Sequence, residues 1–235
     1  MTTEQQHLIG TPFTAASTAD DVLAGIDLTG RNVVVTGGAG GLGLEATRAM
    51  SKAGATVVVA ARNPEQAAAK LAGVERVEIS RLDLLDPASI DAFAARYLES
   101  GRPLHALING AGNTYGTLVL DARGYERSFA AFHLGHFQLT LALHPALRAA
   151  HGARVVNVSS GAHRTSDIRW DDLHFARATT ETSRTGRPRP PVSSSPSSWT
   201  VAGRPRRSAP SRFTPASPSP RTWPTWSRAP SPWTS

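Results

Sequence analysis

The composition of this chain breaks near Ala178, and the break sets how much of it can build a core. Residues 178–235 hold 12 Pro, 13 Ser, 9 Thr, 9 Arg and 4 Trp, with no Leu, Ile, Met, Lys, Asp or Tyr. A segment so poor in core-forming side chains cannot offset the entropy of ordering its own backbone. A disordered tail is therefore expected over 178–235, and any fold has to come from the residues before it. The same boundary divides the charge. Residues 1–177 carry 16 basic and 17 acidic groups, whereas the tail carries nine Arg against the single acid Glu181. The net charge of +7 thus belongs to the tail and does not mark the folded part as a nucleic-acid binder. Arg and Trp interleaved in the tail could stack on nucleotides, but nothing there builds a platform, so no specific nucleic acid is expected.

Other function classes drop out on composition. The chain has no Cys, which removes disulfide frameworks and thiolate metal sites. No stretch approaches the ~20 apolar residues that span a bilayer. Residues Met1 to Asp21 are polar and mixed, without the basic-then-apolar layout of a signal peptide, so a cytoplasmic protein is expected. His133 and His136 stand three apart on a helical stretch, but no carboxylate or third His lies at ligand spacing. Helix packing is the reading for both, and no metal is expected.

Before the break, apolar periodicity alternates between two kinds of element. Strands are predicted at Val33–Thr36, Thr56–Ala61, Val74–Leu82, Leu104–Asn109 and Arg154–Ser159. Helices are predicted near Ser17–Ala24, over Leu42–Met50, Pro64–Leu71 and Pro87–Leu98, and over a long stretch Tyr125–Arg148 bent by Pro145. Such alternation argues for a parallel sheet covered by helices on both faces, that is, an α/β doubly wound fold. Residues 1–26 read as an N-terminal arm with a short helix and 27–177 as a dinucleotide-binding domain.

Thr36-Gly37-Gly38-Ala39-Gly40-Gly41-Leu42-Gly43 sits between the first strand and the helix that follows it. Glycines there let the backbone turn tightly and approach a pyrophosphate, and the helix N-terminus supplies free N–H groups and partial positive charge. The spacing, T-G-x-x-x-G-x-G, resembles that of the short-chain dehydrogenase/reductase family. The resemblance continues through Asp83, Asn109-Gly110-Ala111-Gly112 and Val156-Asn157-Val158-Ser159-Ser160. His133-Leu134-Gly135-His136-Phe137, Ser160-Gly161-Ala162-His163 and Trp170-Asp171-Asp172-Leu173 look like the retinol-dehydrogenase-like branch, so the likeness covers Asp27 to Phe175.

The resemblance implies a Rossmann-type sheet in strand order 3-2-1-4-5. It implies nucleotide binding by Gly37, Gly41, Leu42, Gly43, Asp83 (on the adenine), Asn109, Ala111 and Gly112, with Ser160 orienting a substrate oxygen. An acid at the end of the second strand would receive the ribose 2′-hydroxyl of NAD. This chain has Ala61-Arg62-Asn63 instead, and Arg62 suits a 2′-phosphate, so NADP is expected, with NAD as the alternative. The implied reaction is hydride transfer between nicotinamide and a hydrophobic alcohol or carbonyl compound.

The family's chemistry also needs a Tyr acid/base and a Lys four residues later, because a phenol of pKa ~10 is a poor base at neutral pH. The tyrosines are Tyr97, Tyr115 and Tyr125, followed four positions on by Gly101, Val119 and Phe129, and the lysines are Lys52 and Lys70. No Tyr-x-x-x-Lys exists. Phe132 stands where the family has the Asn of its proton relay. The expected outcomes are an impaired oxidoreductase or, alternatively, a catalytically inert nucleotide-binding pseudo-enzyme.

A displaced reading frame accounts for the tail. Shifted by one base, the Arg184/Thr185 junction can encode Tyr, Arg187/Pro188 Ser and Pro188/Arg189 Lys, which restores Tyr-x-x-Ser-Lys. Ser193 to Thr200 can recover Leu-Phe-Ala-Val-Glu-Leu-Asp in the same frame, and Arg212 to Ala216 can recover Val-His-Pro-Gly. A frameshift between Phe175 and Ser183 would leave the fold incomplete after strand five. It would also strip cover from that strand's outer side and from the helix surface through which the family forms homo-oligomers.

Overall fold

Alternation of faces along two valine-rich strands organises the structure. In β1 (Asn32–Thr36), Val33 and Val35 point to one side of the sheet and Val34 to the other; in β2 (Thr56–Ala61), Val57 and Val59 oppose Val58 and Ala60. Each strand is buried on both faces, as a central parallel strand must be. The computed structural model describes residues 10–112 and 119–159. Over these, β3 (Val77–Arg81), β4 (Ala106–Asn109) and β5 (Arg154–Asn157) complete a five-stranded parallel sheet in the order β3-β2-β1-β4-β5. The expected strand order and doubly wound parallel sheet are the ones observed.

Local sequence explains where the helices start. In α1 (Ala19–Leu23) Thr18 and Asp21 form a reciprocal capping box. Asn63 caps α3 (Pro64–Lys70) and Asp86 caps α4 (Pro87–Glu99), each with proline at the first helical position, where its missing N–H costs nothing. Helix α2 (Gly41–Lys52) differs: Gly40 at its N-cap offers no side-chain acceptor.

Two cores flank the sheet. On one face Val33, Val35, Val57 and Val59 pack with Ala55 and Leu71, backed by Leu44 and Met50 of α2. On the other, Val34, Val58 and Leu107 meet Ile90 and Phe93 of α4 and Leu139 and Leu143 of the long helical region.

That long region departs from expectation. In place of one helix over Tyr125–Arg148 there is a short α5 (Arg127–Phe129), a π-helical turn (Ala130–Gly135), α6 (His136–Ala142) and α7 (His144–Ala149). The last break lies at Leu143, ahead of the helix that carries Pro145 in its first turn, where proline sits without loss of a helical hydrogen bond. The residues before Arg127 form a turn, in which Asp121 accepts from the N–H groups of Arg123 and Tyr125. Strand boundaries also tighten. Val74 donates to the Leu71 carbonyl in a turn, so β3 starts at Val77. Leu104 donates to Ala146 of α7, so β4 starts at Ala106.

Along β5, Val156 and Val158 are exposed, 45% and 55%, and β4 is its partner among the described residues. The expectations for residues 1–9, for the segment from Ser160 onward and for the 178–235 tail lie outside the described residues. No helix among the described residues is long and apolar enough to cross a membrane.

Candidate functional site

The strand order reverses between β1 and β4, since β2 extends the sheet from one side of β1 and β4 from the other. At such a switch point the loops leaving the carboxyl ends of the two strands diverge and open a crevice. Thr36 ends β1 and Asn109 ends β4, paired in register. The glycine loop leaves Thr36, and Gly110-Ala111-Gly112 leaves Asn109.

Two glycines of this loop are closed by backbone atoms, and a Cβ on a third, Gly38, would meet Thr47 Oγ1 at 2.8 Å. Gly37 has φ +74, and a Cβ there would stand 2.9 Å from the Ala111 Cα and 3.0 Å from its N. A Cβ on Gly43 would run into the Gly37 carbonyl oxygen. The loop is therefore wound tightly on itself and seated on Ala111. By contrast Gly40, Gly41 and Gly112 face open space. The unfilled N-cap at Gly40 leaves the first amides of α2 without a side-chain acceptor, directly at the open side of the loop. Leu42 projects there as well, 88% exposed.

The other expected site residues occupy neighbouring strand ends. Arg62, exposed after β2, precedes the α3 cap Asn63 and belongs to none of the ion pairs among the described residues. Asp83 follows β3; its Oδ1 accepts from the Leu85 N–H, and its own N–H donates to Ser89 Oγ. Asn109 is turned inward. Its Nδ2 donates to Thr140 Oγ1 at 3.2 Å and to Asn157 Oδ1 at 2.8 Å, tying β4 to α6 and β5, while its buried Oδ1 has no hydrogen-bond partner among the described residues. Ser160 lies outside the described residues.

One polar link escaped the sequence reading. His136 is buried and joins the first strand to the long helical region: its Nε2 lies 2.9 Å from Thr36 Oγ1 and its Nδ1 2.9 Å from the Phe132 carbonyl. Burial pushes the imidazole down to about 4, against the upward pull of the Phe132 hydrogen bond. His133 instead stacks on Phe129 at 5.1 Å, so the two rings serve different surroundings. The available signal was a histidine one turn before Leu139 and Thr140 on the buried side of the helix, where a polar ring requires partners.

The model for short chain dehydrogenases matches residues 31–170, more than half of the chain. The chain belongs to the short-chain dehydrogenase family. Human retinol dehydrogenase 12 is 40% identical to this chain over 154 residues, which cover 63% of it and 49% of that protein. A Streptomyces lividans protein named as a probable oxidoreductase is 47% identical over 158 residues, 65% of this chain and 52% of its own length. Among solved structures, one from Mycobacterium paratuberculosis superposes with a TM-score of 0.59 at 35% identity, covering 68% of this chain and 56% of that one. The Pseudomonas aeruginosa RhlG/NADP complex gives a TM-score of 0.53 at 26% identity, covering 67% and 64%. The chain spans about half the length of the curated relatives it matches.

Against the family pattern, Tyr97 and the two lysines lie at the end of the sheet away from this crevice. Tyr97 is buried in α4, and its hydroxyl donates to the Pro103 carbonyl, which also accepts from Asn32 at the start of β1. It therefore sits at the amino end of the sheet, opposite the glycine loop, and burial pushes its phenol up to about 12. Helices α2 and α3 run back from the carboxyl edge, so Lys52 and Lys70 at their C-termini also lie at the amino end. Lys52 pairs there with Asp20. Tyr125 belongs to the turn before α5, under the Arg123 guanidinium. Tyr115 lies outside the described residues.

Proposed function

We propose that this chain descends from an NADP-dependent short-chain oxidoreductase and binds NADP(H) at the crevice between β1 and β4. The observation that carries the reading is the glycine loop. Gly37 and Gly43 admit no Cβ, and the unfilled N-cap of α2 turns its free amides toward the open side of the loop. A dinucleotide fits this residue set: the loop backbone and α2 N-terminus take the pyrophosphate, Arg62 the 2′-phosphate and Asp83 the adenine edge. Gly41, Leu42, Ala111 and Gly112 line the approach, and Asn109 braces the loop after β4 from beneath. When bound, nicotinamide supplies or accepts a hydride, and the substrate class is a hydrophobic alcohol or carbonyl compound.

This chain's own groups support binding better than turnover. Ser160 is the one residue of the family's catalytic set proposed to remain, to orient a substrate oxygen. Phe132 offers no side-chain proton, and no Tyr-x-x-x-Lys exists in the sequence. A catalytically inert nucleotide binder is therefore the second reading, favoured by the position of Lys52, Lys70 and Tyr97 at the far end of the sheet. The recoverable Tyr-x-x-Ser-Lys in the displaced frame supports a frameshift as the cause. We also propose the division into residues 1–26, a nucleotide-binding domain over 27–177 and a 178–235 tail, in a cytoplasmic protein.

Fluorescence titration of the full chain with NADPH and NADH tests the binding. NADPH is expected to bind more tightly, and Arg62→Ala to remove about tenfold of that preference, a loss of ~1.4 kcal/mol. Equal affinities for the two nucleotides would refute the role of Arg62, and no binding of either would refute the reading. NADPH oxidation with carbonyl compounds separates impaired catalysis from none, judged against heat-inactivated protein. Resequencing across the Phe175 codon tests the frameshift, which fails if the displaced frame lacks the Tyr and Lys codons.

A further inference from the structure

Thr36 Oγ1 stands at a crowded junction. The backbone N–H groups of Gly110 and Ala111 both donate to it at 3.0 Å, and His136 Nε2 lies 2.9 Å away. A hydroxyl has two lone pairs and one proton. With both lone pairs taken by the two amides, its proton is what remains for the third neighbour, so Nε2 must accept it. The other ring nitrogen requires the same tautomer. His136 Nδ1 faces the Phe132 carbonyl, which only accepts, so the ring proton is on Nδ1.

The amide of His136 donates to the His133 carbonyl, where the chain leaves the π-helical turn, and the imidazole reaches the Phe132 carbonyl from the side. A second strut runs nearby, with Asn109 Nδ2 donating to Thr140 Oγ1 and Thr140 Oγ1 donating to the His136 carbonyl. The described partners Thr36, Phe132, Thr140 and Asn109 are all uncharged, and His133 is the titratable group whose charge acts on the ring.

We propose that His136, as its neutral Nδ1–H tautomer, is a positioning residue for the nucleotide, taking the Thr36 hydroxyl proton so that Thr36 Oγ1 can hold Gly110 and Ala111 against the glycine loop. The two loops are in backbone contact, since a Cβ on Gly37 would meet Ala111. Any slackening at Ala111 therefore alters the seat of Gly37 and the entry to α2. A protonated ring would present N–H to an oxygen whose lone pairs are already filled, and the Thr36 proton would be left with the Ile108 carbonyl at 3.4 Å. The inference rests on the nucleotide-binding reading of the same crevice.

The test uses two side chains that each reproduce half of the ring. In His136→Gln the terminal amide reaches the Nε2 position and can accept from Thr36. In His136→Asn the amide reaches only the Nδ1 position. Amide hydrogen exchange of the ligand-free full chain is read at Gly110 and Ala111, together with Tm and NADPH affinity. His136→Asn is expected to speed exchange at both amides at least tenfold and weaken NADPH about tenfold. His136→Gln should stay within threefold of the parent in both. Thr36→Ser should keep the exchange protection that Thr36→Val loses.

Nitrogen NMR of His136 is expected to show the Nδ1–H tautomer. Equal exchange in His136→Asn and His136→Gln overturns the proposal, as does an Nε2–H tautomer. If both variants unfold, the tautomer and the Thr36 pair decide the outcome. Failure of the parent chain to bind NADPH would refute the nucleotide reading, while the exchange data would still decide whether His136 holds the loop.

Discussion

Gly37 offers a quantitative test of the loop, because a single methyl group probes backbone conformation and close approach together. Its φ of +74 lies in the left-handed region, where an L-side chain costs about 1–2 kcal/mol. In Gly37→Ala the new Cβ would also stand 2.9 Å from the Ala111 Cα, 3.0 Å from the Ala111 N and 3.1 Å from the Gly110 carbonyl oxygen. All three are backbone atoms, so no side-chain rotation relieves the crowding and one loop must move. Overpacking of this kind adds about 1–3 kcal/mol, for a total of about 2–5 kcal/mol. Gly41→Ala is the control. Its φ of +51 carries similar conformational cost, but nothing lies within 4 Å of the added Cβ. The difference in stability between the two variants isolates the contact with the loop after β4, and thermal unfolding would be run on both. Gly37→Ala should lose at least 1 kcal/mol more stability than Gly41→Ala. Equal Tm for the two variants would refute the packing of Gly37 on Ala111.

Other consequences concern the core and its titrating groups. Phe93, 1% exposed between α4 and the sheet, should cost about 3–5 kcal/mol when replaced by Ala, read by chemical denaturation. His136, pushed down to about 4 in the fold, contributes stability that is present above pH ~6.5 and lost as the pH falls toward 4; His136→Gln should flatten that acid limb in Tm measurements. Tyr97 has the opposite sense. Pushed up to about 12, it contributes stability that is intact below pH ~10 and lost as the pH rises from 10 to 12. Tyr97→Phe should shift the alkaline unfolding midpoint upward, and an unchanged midpoint would place that transition elsewhere.

Much of the fold was legible because its determinants are local. Valine runs bounded by polar residues, Asn63 and Asp86 ahead of prolines, and the Thr18–Asp21 capping box each act within a few residues. Right-handed crossovers between such strands leave few sheet orders, and the family resemblance implied the one observed, β3-β2-β1-β4-β5. The glycine loop was legible for the same reason, since its glycines are neighbours along the chain; that backbone closes Gly37 and Gly43 but leaves Gly41 open was decided by packing. The long helix was misread in detail. The π-helical turn inserts one residue, a phase slip of about 100° in the apolar stripe, and the six residues Ala130–Gly135 are too few for periodicity to show it.

From the sequence alone came the class of fold, the glycine loop, the departures at Phe132 and Tyr-x-x-x-Lys, and the compositional break at Ala178. These are properties of neighbours along the chain or of residue identity. Only the tertiary structure decided which groups meet. Thr36 and His136, 100 residues apart, share a hydrogen bond because β1 and the helix after β4 converge at one edge of the sheet. It also placed Tyr97 and the two lysines at the other edge, since helices that return from the carboxyl ends of strands carry their own C-termini to the amino ends. Residue identity states what a side chain can do; the direction of strands and helices decides where along the sheet it can do it.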